Sequence, residues 1–233
     1  MHRLKFPRRL LPLITALLLS TALLFPAAAP AEANREILWD IVSHCLDPAA
    51  ADYDKLCRWP VENSAAACRN TIALWDKNSE FVILRDRKMC NCLDNKTFVH
   101  GLAIPRAKVT GAEDPNRPSG IWQFAWDNAV KKIGNESEIA LLVNPPGEER
   151  SQDQLHVHLL RLNKAGKRLI AESHPPVVKN LADVWSQAEQ TAREKGFKIY
   201  GVLVARHQAG GFAVIADNSS LEDLYTEARC SQH

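Results

Sequence analysis

The sequence predicts an α+β fold in which helices flank an antiparallel β-sheet. Three observations support this prediction. The segment 154–159 alternates polar and apolar residues, as a half-buried strand does. An apolar run over 139–143 precedes it across a turn-rich connection, which is typical of a hairpin. Apolar residues also recur at helical spacing over 37–45 and 121–129.

The earlier elements follow from spacing and capping signals. After Asn34, apolar residues at helical spacing predict a first helix. Apolar runs predict strands at 81–86 and 97–104, on either side of a cysteine pair. Ser119 is a candidate N-cap for the helix that contains Trp122 and Trp126, which lie one turn apart and are predicted to be core residues.

The later elements are predicted in the same way. A helix over 181–195 has Asn180 as its candidate cap and Gly196 at its end. Strands at 198–205 and 211–216 form a hairpin around a Gly-containing turn. The sequence Ser-Ser-Leu-Glu at 219–222 has the spacing of a capping box, which predicts a short final helix.

The first 33 residues have the organisation of an export signal. A basic start precedes an apolar run over 10–25, and Ala-Glu-Ala at 31–33 offers a cleavage site. Residues 1–33 are therefore predicted to be a signal peptide or an N-terminal membrane anchor, and 34–233 a single domain. The protein is expected to be exported, either periplasmic or associated with the inner membrane.

Composition and charge narrow the class of protein. The content of hydrophobic residues, 46%, is that of a packed globule. The formal net charge is +2, and without the four basic residues and one acidic residue of 1–33 it becomes −1. A chain of this charge lacks the basic footprint of a nucleic-acid-binding protein. It also lacks the P-loop motif and the Gly-x-Ser-x-Gly elbow of α/β-hydrolases.

All six cysteines lie beyond the predicted leader: Cys45, Cys57, Cys68, Cys90, Cys92 and Cys230. An even number in an exported protein predicts up to three disulfides, whose pairing the sequence leaves open. A zinc site formed by the four cysteines between 57 and 92 is the alternative. Reducing conditions would favour such a site, whereas export favours disulfides.

The alternating strand supplies the candidate catalytic residues. Gln154, His156 and His158 point to one face of this strand, where same-face neighbours stand roughly 7 Å apart. An imidazole is mostly neutral near pH 7, so His156 can attack a pyrophosphate phosphorus. His158 and Gln154 are then donors to the phosphoryl oxygens. No third ligand lies nearby in the sequence, so the site is predicted to need no metal and no cofactor.

The loop before this strand is predicted to bind the substrate. It spans 144–153 and carries the Asn144 and Gln152 amides and the Ser151 hydroxyl. These groups and free backbone N–H groups are suited to hold an anion above the imidazoles.

These motifs resemble, in their order, the bacterial CDP-diacylglycerol pyrophosphatase family of the histidine-triad, or HIT-like, superfamily. The resemblance rests on Cys-Leu-Asp-Pro at 45–48, the segments 81–86, 101–113 and 121–126, and the paired histidines. It implies a HIT-like antiparallel sheet and hydrolysis of CDP-diacylglycerol to CMP and phosphatidate through a nucleotidyl-histidine intermediate. His156 takes the position of the nucleophile and His158 a supporting one, while Gln154 stands where the superfamily has its first histidine.

The resemblance also implies the partner and leaves alternatives open. The partner is a nucleotide-linked phospholipid, met at a membrane surface. One alternative is a broader histidine-triad nucleotide-pyrophosphate hydrolase or nucleotidyl transferase. The other is a non-catalytic HIT-like protein that binds a ligand or metal, since a glutamine at position 154 cannot carry a proton at neutral pH.

Overall fold

An eight-stranded antiparallel sheet forms the centre of the protein. The computed structural model describes residues 34–45, 74–86, 88–89, 97–147 and 150–230. The strands are β1 (Leu74–Lys77), β2 (Phe81–Arg85), β3 (His100–Pro105), β4 (Ile139–Val143), β5 (Val157–Arg161), β6 (Val177–Val178), β7 (Gly201–Arg206) and β8 (Phe212–Asp217). Their order in the sheet is β1-β2-β3-β5-β4-β7-β8-β6. The predicted α+β class is confirmed.

Five helices accompany the sheet in the part of the chain that the structure describes. They are α1 (Ile37–Asp40), which continues into a π-helical turn (Ile41–Cys45), α2 (Gly120–Ile133), α3 (Lys164–Ser173), α4 (Val184–Glu194) and α5 (Glu222–Tyr225). Short 3₁₀ turns, Glu136–Glu138 and Leu181–Asp183, precede β4 and α4. Within the ranges that the structure describes, none of the helices is both long enough and apolar enough to span a membrane.

The predicted hairpin is present, but its second strand begins later than the alternation suggests. β4 and β5 pair in antiparallel fashion, with Leu142 opposite His158. β5 starts at Val157, because the backbone N–H of Leu155 donates to Val109 O at 2.6 Å rather than to a neighbouring strand. Gln154 and His156 therefore belong to the segment that enters the strand.

The predicted helices are present, whereas their predicted caps are not formed. Ser119 and Asn180 precede helical segments, but neither side chain makes a capping hydrogen bond. The final helix starts at Glu222 with Leu221 in the N-cap position, so the capping box is wrong. The side chain of Glu222 instead accepts a hydrogen bond from Asn144. Two elements, β1 and α3, were not predicted from the sequence. Helix α3 has a capping signal in Asn163, whose side chain accepts from Gly166 N at 2.6 Å.

The two faces of the sheet are covered differently. α2 and α4 pack on one face through a large apolar cluster in which Trp122 and Trp126 are buried, as predicted for core residues. On the other face, α1 packs at the β2–β3 end. Helices α3 and α5 pack nearer the β7–β8 end. The second face thus carries two separate apolar clusters with a strip of sheet between them.

The cysteine predictions fall mostly outside the described side chains. Cys230 is the cysteine whose side chain the structure describes, and it is disulfide-bonded. The number of disulfides and their pairing stay predictions. The leader, residues 1–33, also lies outside the described residues.

Candidate active site

The candidate site lies on the strip of sheet between the two apolar clusters. His158 on β5 is flanked by Leu102 on β3 and Leu142 on β4. Leu102 belongs to the cluster under α1, and Leu142 to the cluster under α3 and α5. The register of the central strands therefore places a polar residue where the two cores meet.

His156 has a defined orientation and some access to solvent. Its Nδ1 lies 2.7 Å from the backbone oxygen of Gln154. A carbonyl oxygen only accepts, so Nδ1 carries the proton and Nε2 presents its lone pair. The residue is 6% exposed, and Nε2 is not among the buried polar atoms that lack a hydrogen-bond partner in the described residues. Burial lowers the pKa of His156, which keeps the ring neutral near pH 7.

His158 lies beside His156 and contacts a third histidine. The ring centroids of His156 and His158 are 4.9 Å apart. On the other side, His158 Nδ1 is 2.8 Å from Nε2 of His100, a fully buried residue at the start of β3. Burial lowers the pKa of both His158 and His100 to about 3. His158 Nε2 is buried and has no hydrogen-bond partner in the described part of the chain.

Glu222 of α5 completes this side of the site. Its Oε2 accepts from Asn144 Nδ2 at 3.1 Å and lies 3.8 Å from His158 Nδ1. Its Oε1 pairs with Lys88 Nζ at 2.5 Å. Burial alone would raise the pKa of this carboxyl, but the attraction of the histidines, when they are protonated, and of Lys88 lowers it. Because the buried imidazoles are neutral near pH 7, Lys88 is the cation that favours ionised Glu222.

Asp86 adds a second carboxylate next to His100. It lies just after β2, and its Oδ2 is 3.6 Å from His100 Nε2. One ligand atom each from Asp86, His100 and His158 lies within 4.8 Å of the others, a grouping that could hold a metal ion. The sequence reasoning found no third ligand near the paired histidines. The sheet supplies one from β3 and another from the end of β2.

The predicted substrate-binding residue Gln154 makes three hydrogen bonds to backbone groups. Its Nε2 donates to Pro105 O at 3.0 Å and to Ala107 O at 2.8 Å. Its Oε1 accepts from Val109 N at 3.2 Å. Gln154 is 2% exposed, so this amide fastens the segment after β3 to the entry of β5. A direct hydrogen bond to a phosphoryl oxygen would require it to give up one of these partners.

The three loop residues predicted to bind the substrate occupy different surroundings. Asn144 lies in the site, where its Oδ1 is buried without a partner among the described residues. Gln152 accepts from Leu38 N at 3.1 Å and donates to Asn34 O at 3.0 Å, so it anchors α1. Ser151 is exposed. The structure thus places Asn144 next to the histidines, whereas Gln152 contacts α1 and Ser151 faces solvent.

A cation that the sequence reasoning did not select lies in the same loop. Arg150 is 4% exposed and pairs with Glu113, its Nη1 and Nη2 lying 2.9 and 2.7 Å from the two carboxylate oxygens. Its positive charge contributes, after burial, to the lowered pKa of His156. Glu113 also lines a cleft of about 680 Å³ together with Arg117, Trp185 and Tyr200. Neither His156 nor His158 lines this cleft.

Sequence reasoning missed four residues of the site: Asp86, Lys88, His100 and Glu222. One weak signal was present, because His100 is a polar residue at the start of a strand that is otherwise apolar. Glu222 was assigned to a cap, since its spacing to Ser219 fits one equally well. Their roles depend on strand order, which no local pattern contains.

The comparisons with known proteins identify the family of the chain. The sequence matches the family model described as CDP-diacylglycerol pyrophosphatase over residues 33–227. A comparison with curated proteins gives no match. The match covers β1 to β8, all five helices and every residue of the site described above. The chain therefore belongs to the CDP-diacylglycerol pyrophosphatase family, whose activity is hydrolysis of the pyrophosphate bond of CDP-diacylglycerol.

Proposed function

We propose that the hydrolysis proceeds through a covalent intermediate in which the CMP phosphorus is bonded to Nε2 of His156, as in the histidine-triad superfamily. The observation that carries the proposal is the hydrogen bond from His156 Nδ1 to Gln154 O, 2.7 Å long. It fixes the tautomer in which Nε2 is the nucleophile. The lowered pKa of His156 supports the same role, because a neutral ring is available for attack.

The first step transfers the CMP group and releases phosphatidate. Nε2 of His156 attacks the phosphorus bonded to cytidine, a P–N bond forms, and the P–O bond to the bridging oxygen breaks. That oxygen leaves as part of phosphatidate with the bonding electron pair. In the second step the oxygen of a water molecule bonds to the same phosphorus and the P–N bond breaks. CMP is released with that oxygen, one proton of the water passes to solvent, and His156 recovers its lone pair.

His158 is the proposed donor to the phosphoryl oxygens. One proton is shared between His158 Nδ1 and His100 Nε2, which are 2.8 Å apart. His100 Nε2 faces two carboxylates, Asp86 at 3.6 Å and Glu222 at 3.9 Å, whereas His158 Nδ1 faces Glu222 alone at 3.8 Å. The negative charges therefore favour the proton on His100. His158 then carries its own proton on Nε2, the buried atom that has no partner among the described residues.

Gln154 has a supporting role in this scheme. It cannot take up a proton at neutral pH, unlike the histidine that the superfamily has at its position. Its side chain holds the segment 105–109 against the entry of β5, and its backbone oxygen orients His156. The negative charge that develops in the transition state is then stabilised by His158 and by donors of the loop 144–153.

The substrate and the leader together place the reaction at a membrane surface. CDP-diacylglycerol carries two acyl chains, and its cleavage separates a lipid from a soluble nucleotide. The basic and apolar stretches of residues 1–33 are those of an exported or anchored protein. We therefore place the protein on the exported side of the membrane, as a periplasmic or inner-membrane-associated enzyme.

Rapid quenching tests the intermediate. The full chain is mixed with CDP-diacylglycerol labelled in the CMP phosphate, and the denatured protein is digested and mapped. We expect an acid-labile, base-stable adduct on the peptide containing His156. The variant His156→Ala should form none, while His158→Ala should form it slowly. An adduct on another residue, or product formed by His156→Ala at a near-normal rate, would show that the nucleophile is assigned wrongly.

A further inference from the structure

Three potential metal ligands, Asp86, His100 and His158, have ligand atoms within 4.8 Å of one another, and Glu222 lies beside them. The nitrogens of His100 and His158 are 2.8 Å apart. Asp86 Oδ2 lies 3.6 Å from His100 Nε2, and Glu222 Oε2 lies 3.8 Å from His158 Nδ1. The second oxygen of Glu222 is 3.9 Å from His100 Nε2. All four residues are buried, with at most 8% exposure.

These separations suit a tetrahedral zinc ion. Zinc binds histidine nitrogens and carboxylate oxygens at about 2.0–2.2 Å, so neighbouring ligand atoms in a tetrahedral site stand roughly 3.3 Å apart. The His100–His158 and His100–Asp86 separations of 2.8 and 3.6 Å lie on both sides of that value, and the two oxygens of Glu222 lie 3.8 and 3.9 Å from one histidine nitrogen each. Small shifts of side chains are sufficient to reach it.

The charges of the cluster also favour a cation. Asp86 and Glu222 bring two carboxylates into a buried region, where unpaired charge is costly. Lys88 pairs with Glu222 through its ammonium group, whereas it reaches Asp86 Oδ1 only through its backbone N–H, at 2.7 Å. His100 Nε2 and His158 Nδ1 face these carboxylates and are the nitrogens that a cation would bind. A cation on His100 Nε2 would move the proton shared with His158 Nδ1 to His100 Nδ1, which is buried without a partner among the described residues.

We propose that Asp86, His100, His158 and Glu222 form a binding site for a divalent cation of the zinc class, immediately behind the reaction site. The inference rests on the proposed function only through His158, which belongs to both. A metal on His158 Nδ1 places the ring proton on Nε2, which is the tautomer that donates to phosphate. The cation and the proposed role of His158 are therefore compatible.

Zinc titration tests the site with a readout that is independent of activity. The full chain, unreduced and treated with a chelator, is titrated with Zn²⁺ by calorimetry and then measured by elemental analysis. We expect one zinc per chain and a higher Tm in its presence. His100→Gln and Asp86→Asn should each raise the Kd for Zn²⁺. Loss of an outer-shell partner typically lowers metal affinity about 10–100-fold, and loss of either of these direct ligands should lower it further. Asp86→Asn keeps the acceptor for Lys88 N, so it should fold.

Controls separate this site from other sources of zinc binding. His174→Ala and His207→Ala remove histidines that lie outside the cluster and should bind zinc normally. Co²⁺ should give a spectrum without thiolate charge-transfer bands, because the ligands are nitrogen and oxygen. His156→Ala should lose turnover but keep zinc, so the two proposals can fail separately. Absence of zinc binding, or equal zinc in wild type and in folded His100→Gln and Asp86→Asn, would overturn the site.

Discussion

His100 Nε2 and His158 Nδ1 lie 2.8 Å apart although 58 residues separate them in the chain. The register of β3 and β5 pairs Leu102 with His158, so the two rings are diagonal neighbours on one face of the sheet. The contact leaves a single proton between two neutral rings. It thereby leaves His158 Nε2 as the ring nitrogen without a partner among the described residues.

The two histidines of the reaction site should differ in importance. Loss of the nucleophile in His156→Ala removes the covalent route and should lower kcat by several orders of magnitude. His158→Ala removes one donor to the phosphate and should cost about 10²–10³ in kcat. Release of CMP from CDP-diacylglycerol in detergent measures both. His174→Ala, an exposed histidine outside the site, is the control and should behave as wild type.

Glu222 should act through His158. Glu222→Gln keeps the shape of the side chain but removes the negative charge beside His158 Nδ1 and Asn144. We expect a lower kcat, a smaller change in KM and little further loss when the change is added to His158→Ala, because residues that act together are not additive. Asp223→Asn, at the next position, alters only an exposed pair with Arg229 and should leave kcat unchanged. Additive losses would assign Glu222 another role.

Gln154 should matter for stability. Gln154→Ala leaves backbone groups at 105, 107 and 109 without their side-chain partner, at roughly 1–3 kcal/mol for each group that water cannot reach. For a chain of this size Tm falls by roughly 2–4 °C per kcal/mol, and thermal unfolding measures it. The exposed Ser151→Ala should leave Tm unchanged. An unaltered Tm for Gln154→Ala would contradict the structural role and favour a role of the amide in binding the substrate.

The free energy of unfolding should fall in mild acid. His100 and His158 have an ordinary pKa of 6.5 when exposed and about 3 in the folded protein, so the unfolded chain binds more protons between these values. Stability is therefore lost as pH falls below 6.5, by up to about 1.4 kcal/mol per pH unit for each group. The lowered pKa of Glu222 adds a loss below its ordinary value of 4.5.

Urea unfolding at about pH 7 and about pH 5 measures this dependence. The variant His100→Gln carries one titrating group fewer in the site, so its stability should change less over the same range. A free energy of unfolding that is the same at both pH values in wild type would contradict the burial of neutral imidazoles.

The cysteines should be oxidised. All six lie beyond the predicted leader, and Cys230 is disulfide-bonded. Denatured, unreduced protein should therefore show no free thiol in a thiol titration, and the same sample after reduction provides the reference. Reactive thiols in stoichiometric amount before reduction would contradict the disulfide prediction.

The sequence alone determined the elements whose signal is local. The run at 139–143 became β4 with the predicted bounds, because a short β-rich apolar run between polar turns has few other ways to be buried. The alternation around His156 and His158 placed both rings in one site, since same-face residues of a strand are neighbours. Where the signal was ambiguous the prediction was wrong, as for the cap assigned to Glu222.

The tertiary structure decided the surroundings of those rings. Strand order put β3 beside β5, and this brought His100 and Asp86 to His158 from more than fifty residues away in the chain. The close packing of α5 on α3 brought Glu222 to the same point. This packing requires a glycine at position 166, because a Cβ there would lie 2.1 Å from Tyr225 O. Such contacts depend on how distant faces are buried together, so no local spacing contains them. The sequence alone identified the paired histidines, whereas the order of the strands brought in the groups that determine which ring nitrogens carry a proton.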